Sequence, residues 1–408
     1  MFFEFGPKSS TLLIFFFHGI VFSILLFYKA FSNNSKSGYW LSLFTFLCAL
    51  YLCPFMLGYG AWYSKQPYRD IMFYIPFQQL FLLPPVLYFY IRSLLDKSFI
   101  FSKKDWLHFL PAICYFLYCL IVFVTDKIIL KQYYFYLDGK DKDLSTWYQL
   151  AGFLSFIGYL LASLDIYKKY KKISYDELSF ADSVMFKWAS RFLTAMLLLL
   201  LIRGLLFLLN PEWGEFGKKY WYYGCFSVLV YYVSISGYVN SVSSMTSLKT
   251  LTLAGTNLDN TDITVEKAEE IPAGETGQHT GAVDKQLPDL LVWKEKIEQV
   301  MEQQKLYEDP ELTLSQLCNT LGIHSKKGSQ IINQGFGINF NDFVNLYRTK
   351  AVIKKMEAGE HSLQTLLGIA YECGFNSKST FNRAFKRHIT ISPQAYIEKY
   401  REQIGVKS

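Results

Sequence analysis

The sequence predicts an all-α protein: a bundle of seven transmembrane helices followed by a soluble domain built from two helix–turn–helix units. Three observations carry this. Of the 408 residues 51% are hydrophobic and 18% aromatic, more than a soluble chain of this length needs. The excess lies almost entirely before residue 242, in runs of about 20 residues, the length of helix that crosses a hydrocarbon core of ~30 Å. Beyond residue 286 the pattern changes to short amphipathic segments that end at Gly and carry a surplus of Lys and Arg.

The seven runs are Thr11–Phe31, Gly38–Gly60, Ile71–Leu95, Trp106–Val124, Trp147–Ile166, Ala189–Leu209 and Trp221–Asn240. Trp and Tyr flank several of them, at Tyr39-Trp40, Trp106, Trp147 and Trp221-Tyr222-Tyr223, where amphipathic rings favour the membrane interface. The first run is long and no small-residue cleavage site follows it, so it reads as a retained span, not a signal peptide. Residues 1–241 are therefore expected to form the membrane domain. Residues 242–286 are rich in Ser, Thr, Gly and acid without a sustained apolar period, which predicts a flexible linker. About 45 residues of flexible coil have a root-mean-square span on the order of 35–40 Å.

The soluble domain, 287–408, opens with an amphipathic helix, Leu287 to Lys305, with Leu291, Ile297 and Met301 on its inner side. LTLSQLCNTLGIHSKKGSQIIN, Leu312 to Asn333, then reads as helix, tight turn at Gly322-Ile323-His324, and helix. SLQTLLGIAYECGFNSKSTFNRAFKRH, Ser362 to His388, repeats the pattern with its turn at Gly374-Phe375-Asn376. In each unit the first helix stops at a Gly, which takes the left-handed conformation freely, and the second starts behind a polar cap. That second helix carries Lys, Arg, Asn, Gln and Ser outward, the composition of a helix that enters the DNA major groove.

These residues resemble the AraC/XylS type of bacterial transcription regulator over about the last 110 positions. The resemblance is most specific at Ile369-Ala370, Gly374-Phe375, Ser379, Phe381, Arg383, Phe385-Lys386-Arg387, Ser392-Pro393 and Tyr396. It implies two helix–turn–helix units at the ends of one linking helix, here Asn339 to Met356, with Phe340, Phe343, Leu346, Tyr347, Ala351, Ile353 and Met356 on its buried side. It also implies a membrane-tethered mode known among such regulators. Two positions depart from the family pattern. Gly328 stands where a large apolar residue is usual and lowers helix stability by roughly 1 kcal/mol, which makes the first unit the weaker reader; Thr390 stands where Gly is usual.

Between Thr313 and Lys399 eleven basic residues face five acids, a balance that suits phosphate. In the second unit Asn376 or Ser377 should cap the helix. Lys378, Ser379, Asn382 and Arg383 should reach base edges, and Lys386 and Arg387 should hold phosphate. Lys326, Lys327, Ser329, Gln330 and Asn333 take the equivalent places in the first. The partners implied are double-stranded DNA, membrane lipid and an unidentified small-molecule or membrane signal. Homodimers on the membrane would raise the local concentration of reading heads.

A DNA-binding C-terminus must face the cytoplasm, and an odd number of spans then places Met1 outside. Lys and Arg in the inner loops agree, including Lys168-Lys169 and Lys171-Lys172, so the chain is expected to be multi-pass in the bacterial inner membrane. Ionisable groups inside spans mark function by default. Arg203 lies roughly 9 Å inside the outer end of its span at 1.5 Å per residue. His18, Gln78 and Gln79 lie at similar depth. If these four converge they would bind a small anionic or carbonyl-bearing ligand; the plainer reading is snorkelling and interhelical hydrogen bonds. Pro54, Pro76, Pro84-Pro85 and Pro111 allow kinks or a pocket.

No metal spacing joins the six histidines, and no phosphate-binding lysine loop or nucleophile elbow is present. The seven cysteines suit a reduced, structural role. Neither an enzyme activity nor a cofactor is expected. The reading is a one-component regulator whose membrane helices sense and whose tethered domain binds DNA. Two alternatives are an anchored regulator freed by linker proteolysis, and a transporter with an autoregulatory DNA-binding domain.

Overall fold

The computed structural model describes residues 3–96, 99–184, 187–209, 219–243 and 289–403; the expected linker from residue 244 onward lies outside them. Among the described residues every regular element is helical. In chain order they are α1 (Pro7–Ser32), α2 (Lys36–Tyr59), α3 (Tyr68–Tyr74), α4 (Leu83–Leu95), α5 (Leu110–Phe123), α6 (Thr146–Glu177), the one-turn α7 (Ala181–Val184), α8 (Lys187–Leu209), α9 (Tyr220–Ser243), α10 (Leu290–Gln304), α11 (Leu314–Leu321), α12 (Ser325–Phe336), α13 (Phe340–Glu357), α14 (Leu366–Glu372), α15 (Lys378–Ile389) and α16 (Pro393–Gln403). The chain divides into two compact units, Met1–Lys168 with Phe186–Leu253, and Lys169–Met185 with Ala254–Ser408, so the division falls inside α6.

Among the described residues five helical stretches are long and apolar enough to cross a membrane: Pro7–Ser32, Lys36–Tyr59, Lys103–Ile129, Thr146–Glu177 and Lys187–Leu205. Seven were expected, and two of those runs are not among these five. The run Ile71–Leu95 is broken, because α3 stops at Tyr74 and α4 starts only at Leu83. Pro76 lies in the gap, where it removes a backbone donor and disfavours helix for the residue before it. The freed backbone groups find side chains instead. The Gln78 amide donates to Asp143 at 3.0 Å, the Leu80 amide to the Tyr148 oxygen at 3.1 Å, and the Tyr148 hydroxyl to the Gln78 carbonyl at 2.6 Å. The last run, Trp221–Asn240, lies within α9, a helix of 24 residues.

The spans are not equivalent. α2 is the centre of its unit, 78% buried where the other four are 17–39% buried, and it packs against α1, α4 and α9. Outward-facing side chains such as Ile14, Phe17 and Ile24 on α1, Leu154 and Leu161 on α6, and Leu201 and Leu205 on α8 are largely exposed. Broad apolar faces of this kind suit hydrocarbon rather than water.

The second unit contains two small cores that share one helix. Phe340, Phe343, Val344 and Tyr347 of α13 join Ile297, Met301, Leu314, Leu317, Ile331 and Ile332. Val352 and Met356, two turns further along, join Ile369, Phe375, Phe381, Ala384 and Phe385. α13 is thus the linking helix that the resemblance implies, about 27 Å long at 1.5 Å per residue. Of its expected buried side, Leu346, Ala351 and Ile353 are only half-buried. The introductory helix starts at Leu290, and Leu291 is 75% exposed, not inward. Leu290 packs on the core in its place, being seven residues from Ile297 and so on the same face.

Local signals explain where these helices start and stop. Thr313 caps α11 and forms a capping box with Gln316; Asn339 caps α13, Thr365 caps α14 and Ser377 caps α15. Gly374 turns the chain at φ +88°, where a Cβ would also lie 2.2 Å from the Tyr307 carbonyl oxygen. Only glycine meets both demands.

Candidate nucleic-acid interface

α15 follows the Gly374 turn and buries one face completely. Thr380, Phe381, Ala384 and Phe385 point inward, while Lys378, Ser379, Asn382, Arg383, Lys386 and Arg387 are all exposed. The outward positions repeat at intervals of three and four, so they form one continuous polar stripe with four cations on it. Asn376 is exposed immediately before the cap, and Ser377 does the capping, its hydroxyl accepting from the Thr380 amide at 3.1 Å. No acid lies on α15 itself.

α12 is shorter of free polar groups. Lys326 and Asn333 are exposed, whereas Lys327, Ser329 and Gln330 are half-buried. Lys327 sets its ammonium 4.2 Å from the centre of the Trp293 ring, a cation–π contact that holds it near α10. Asn333 donates to Ser329 at 3.3 Å.

Gly328 is not the weak point its departure from the family pattern suggests. α12 runs unbroken through it, and it is buried against α11. A Cβ at this position would lie 2.1 Å from the Cys318 sulfur. Cys318 therefore fills, from the facing helix, the space that a larger side chain at 328 would occupy. The two residues are complementary.

Residues 317–399 match a family model described as a helix-turn-helix domain. This segment is a helix-turn-helix domain. The match begins in α11 and ends in α16, so it takes in both units, and it supports the resemblance to the AraC type. It is a DNA-binding kind of domain, not a catalytic one. No curated protein and no solved structure matches the chain.

Not all the cations of the domain are free to meet phosphate. Arg387 pairs with Asp342 of α13 at 2.6 Å while its side chain stays 58% exposed. Lys355 pairs with Glu372 at 2.5 Å and with Glu360 at 3.4 Å. Arg348 is 1% exposed and points inward, so it leaves the count of DNA-facing charges altogether. Arg383 is paired with Asp182. Sequence spacing does not show these pairings, since the partners lie 45 and 201 positions apart in the chain.

In the first unit, the side chains expected to form a polar layer divide. An Arg203 guanidinium nitrogen donates to the Gln149 side-chain oxygen at 3.0 Å and to its carbonyl at 3.3 Å. Gln149 in turn donates to the Gln78 side-chain oxygen at 2.6 Å, and Gln78 donates to the Tyr223 hydroxyl at 3.1 Å. Arg203 and Gln78 are thus linked through Gln149, a residue the sequence does not single out. His18 instead bonds Ser234 at 2.7 Å, and Gln79 donates to the Pro76 carbonyl. Arg203 also borders a small apolar cleft of about 40 Å³, lined by Cys48, Tyr51, Phe153, Leu199 and Phe226 among others.

Proposed function

We propose that this chain is a membrane-bound, one-component transcription regulator. Its C-terminal helix-turn-helix domain binds double-stranded DNA in the bacterial cytoplasm, and its N-terminal apolar helices hold it in the inner membrane and sense a signal there. The observation that carries the DNA reading is the exposed stripe of α15, four cations and two polar side chains on a helix anchored by Phe381 and Phe385. The five apolar helices support the membrane reading. Lys378, Ser379, Asn382 and Arg383 are assigned to base edges, and Lys386 and Arg387 to phosphates.

Footprinting of the full chain in detergent, on duplexes selected from a random-sequence pool, tests this. Two protections about one helical turn (~34 Å) apart show that both units read DNA. Lys386→Glu, at an exposed position outside both cores, should weaken binding across all sequences and lower the salt slope by about one. No selected duplex at any salt concentration would overturn the reading.

The sensing part is carried by the cleft beside Arg203. Its room is small, about 40 Å³, and its polar lining, Arg203 with Tyr51 and Tyr222, suits an anionic or carbonyl group. Arg203→Ala should abolish the response to the signal in a reporter strain, or lower stability in detergent. A variant unchanged in both would remove Arg203 from any such site.

A further inference from the structure

The unit that contains the helix-turn-helix domain also contains Lys169–Met185, a segment far away in sequence. Its anchor is Leu178–Ala181, just past the end of α6. Leu178 forms an isolated antiparallel bridge with Thr313, and the Ser179 amide donates to the Leu312 carbonyl at 3.1 Å. Asn341 of α13 donates to the Leu178 and Ser179 carbonyls at 3.2 and 2.8 Å. Arg348 donates to the Ser179 hydroxyl at 3.0 Å and its carbonyl at 3.4 Å, and to the carbonyls of Tyr307 and Asp309 at 2.8 and 2.7 Å. Asn341 and Arg348 are each 1% exposed. A buried guanidinium is stable only when its donors are met, and Ser179 supplies two of the four acceptors here. The seat is therefore specific for this segment.

Three residues beyond Ser179 the same segment presents Asp182. Its carboxylate is 4% exposed, accepts the Tyr175 hydroxyl at 2.7 Å, and pairs with the guanidinium of Arg383, which is 53% exposed on the α15 stripe. A carboxylate and a phosphate or base edge compete for the same fork of donors. We propose that Leu178–Asp182 docks on the DNA-binding unit as a competitor of DNA, with Asp182 withholding Arg383 from the duplex until the segment is released. This rests on the DNA-binding reading above. The segment is covalently continuous with α6, so it gives the membrane helices a second connection to the DNA-binding unit besides residues 244–288.

The test is DNA affinity of the full chain in lipid nanodiscs, measured on a duplex selected with the wild-type protein. Asp182→Asn keeps the shape and the Tyr175 contact but removes the charge, and should raise affinity about tenfold, the loss of one charge-assisted bond. Glu295→Gln, an exposed acid of α10 in the same unit, controls for net charge and should leave affinity within about twofold. Arg383→Ala should weaken binding, and adding Asp182→Asn to it should restore nothing. Unchanged or lower affinity in Asp182→Asn overturns the competitor role; lower affinity would make Asp182 a positioning residue for Arg383. If Arg383→Ala binds DNA as the wild type does, the assignment of Arg383 fails while DNA binding itself stands.

Discussion

The complementarity of Gly328 and Cys318 predicts a substitution whose sign depends on its neighbour. In an open helix, Gly→Ala stabilises by roughly 1 kcal/mol through propensity alone. At Gly328 the new Cβ would meet the Cys318 sulfur at 2.1 Å, closer than any real contact, while its next neighbours, Leu314 and Ile323, lie at 3.5 and 3.8 Å. Relieving that overlap requires α11 and α12 to separate or Cys318 to leave its rotamer, and overpacking of this kind costs about 1–3 kcal/mol. Gly328→Ala alone should therefore destabilise by about 1 kcal/mol net. In a Cys318→Ala background the sulfur is gone and only ordinary contacts remain, so the same substitution should stabilise by about 1 kcal/mol. The resulting coupling of about 2 kcal/mol is typical of residues in contact. Hydrogen exchange of the α11 and α12 peptides, followed by mass spectrometry on the full chain, reads this locally. Stabilisation by Gly328→Ala with Cys318 in place would refute the packing argument.

Two further predictions follow from strain and from buried charge. Thr390 ends α15 at φ +69°, a left-handed conformation that a β-branched residue adopts only under strain. Thr390→Gly should raise the stability of the second helix–turn–helix unit by about 1 kcal/mol, seen as slower exchange in α15; faster exchange would show that the Thr390 side chain contributes more than the strain removes. In the first unit Asp141 and Asp143 are buried next to each other between two apolar stretches, and burial, with the Asp143 charge as second cause at Asp141, pushes both carboxyls above the ordinary range. A folded-state pKa above the unfolded value means the folded chain holds more protons. Stability is then full below pH ~4 and falls as pH rises toward about 8. Thermal unfolding in detergent should show this slope for the wild type and a flatter one for Asp141→Asn. An equal slope in the variant would place the dependence elsewhere.

The residues that begin and end helices were legible in the chain itself, because capping and glycine turns act over three or four positions. Ser377, Gly322 and Gly374 do in space what their spacing implies. The two apolar faces of α13 and the polar stripe of α15 were readable for the same reason, since helical periodicity is a local property. Hydrophobic runs pointed to the membrane-type helices, and among the described residues five stretches are long and apolar enough to be such helices. Length and apolarity alone do not register that Pro76 and its flanking residues can be held unwound by Asp143 and Tyr148, which lie some 70 positions away.

Tertiary structure decided everything that depends on two distant residues sharing one space. Gly328 looked like a defect until the Cys318 sulfur was found beside it. Arg348 counted as a cation for DNA until its guanidinium was found buried among the carbonyls of Tyr307, Asp309 and Ser179. The segment Leu178–Asp182, a short connection between two apolar helices in the sequence, belongs to the DNA-binding unit because Asn341 and Arg348 bind its backbone. Composition and period are written residue by residue along a chain, whereas the partner of a charge or a cavity is set by the fold that brings them together.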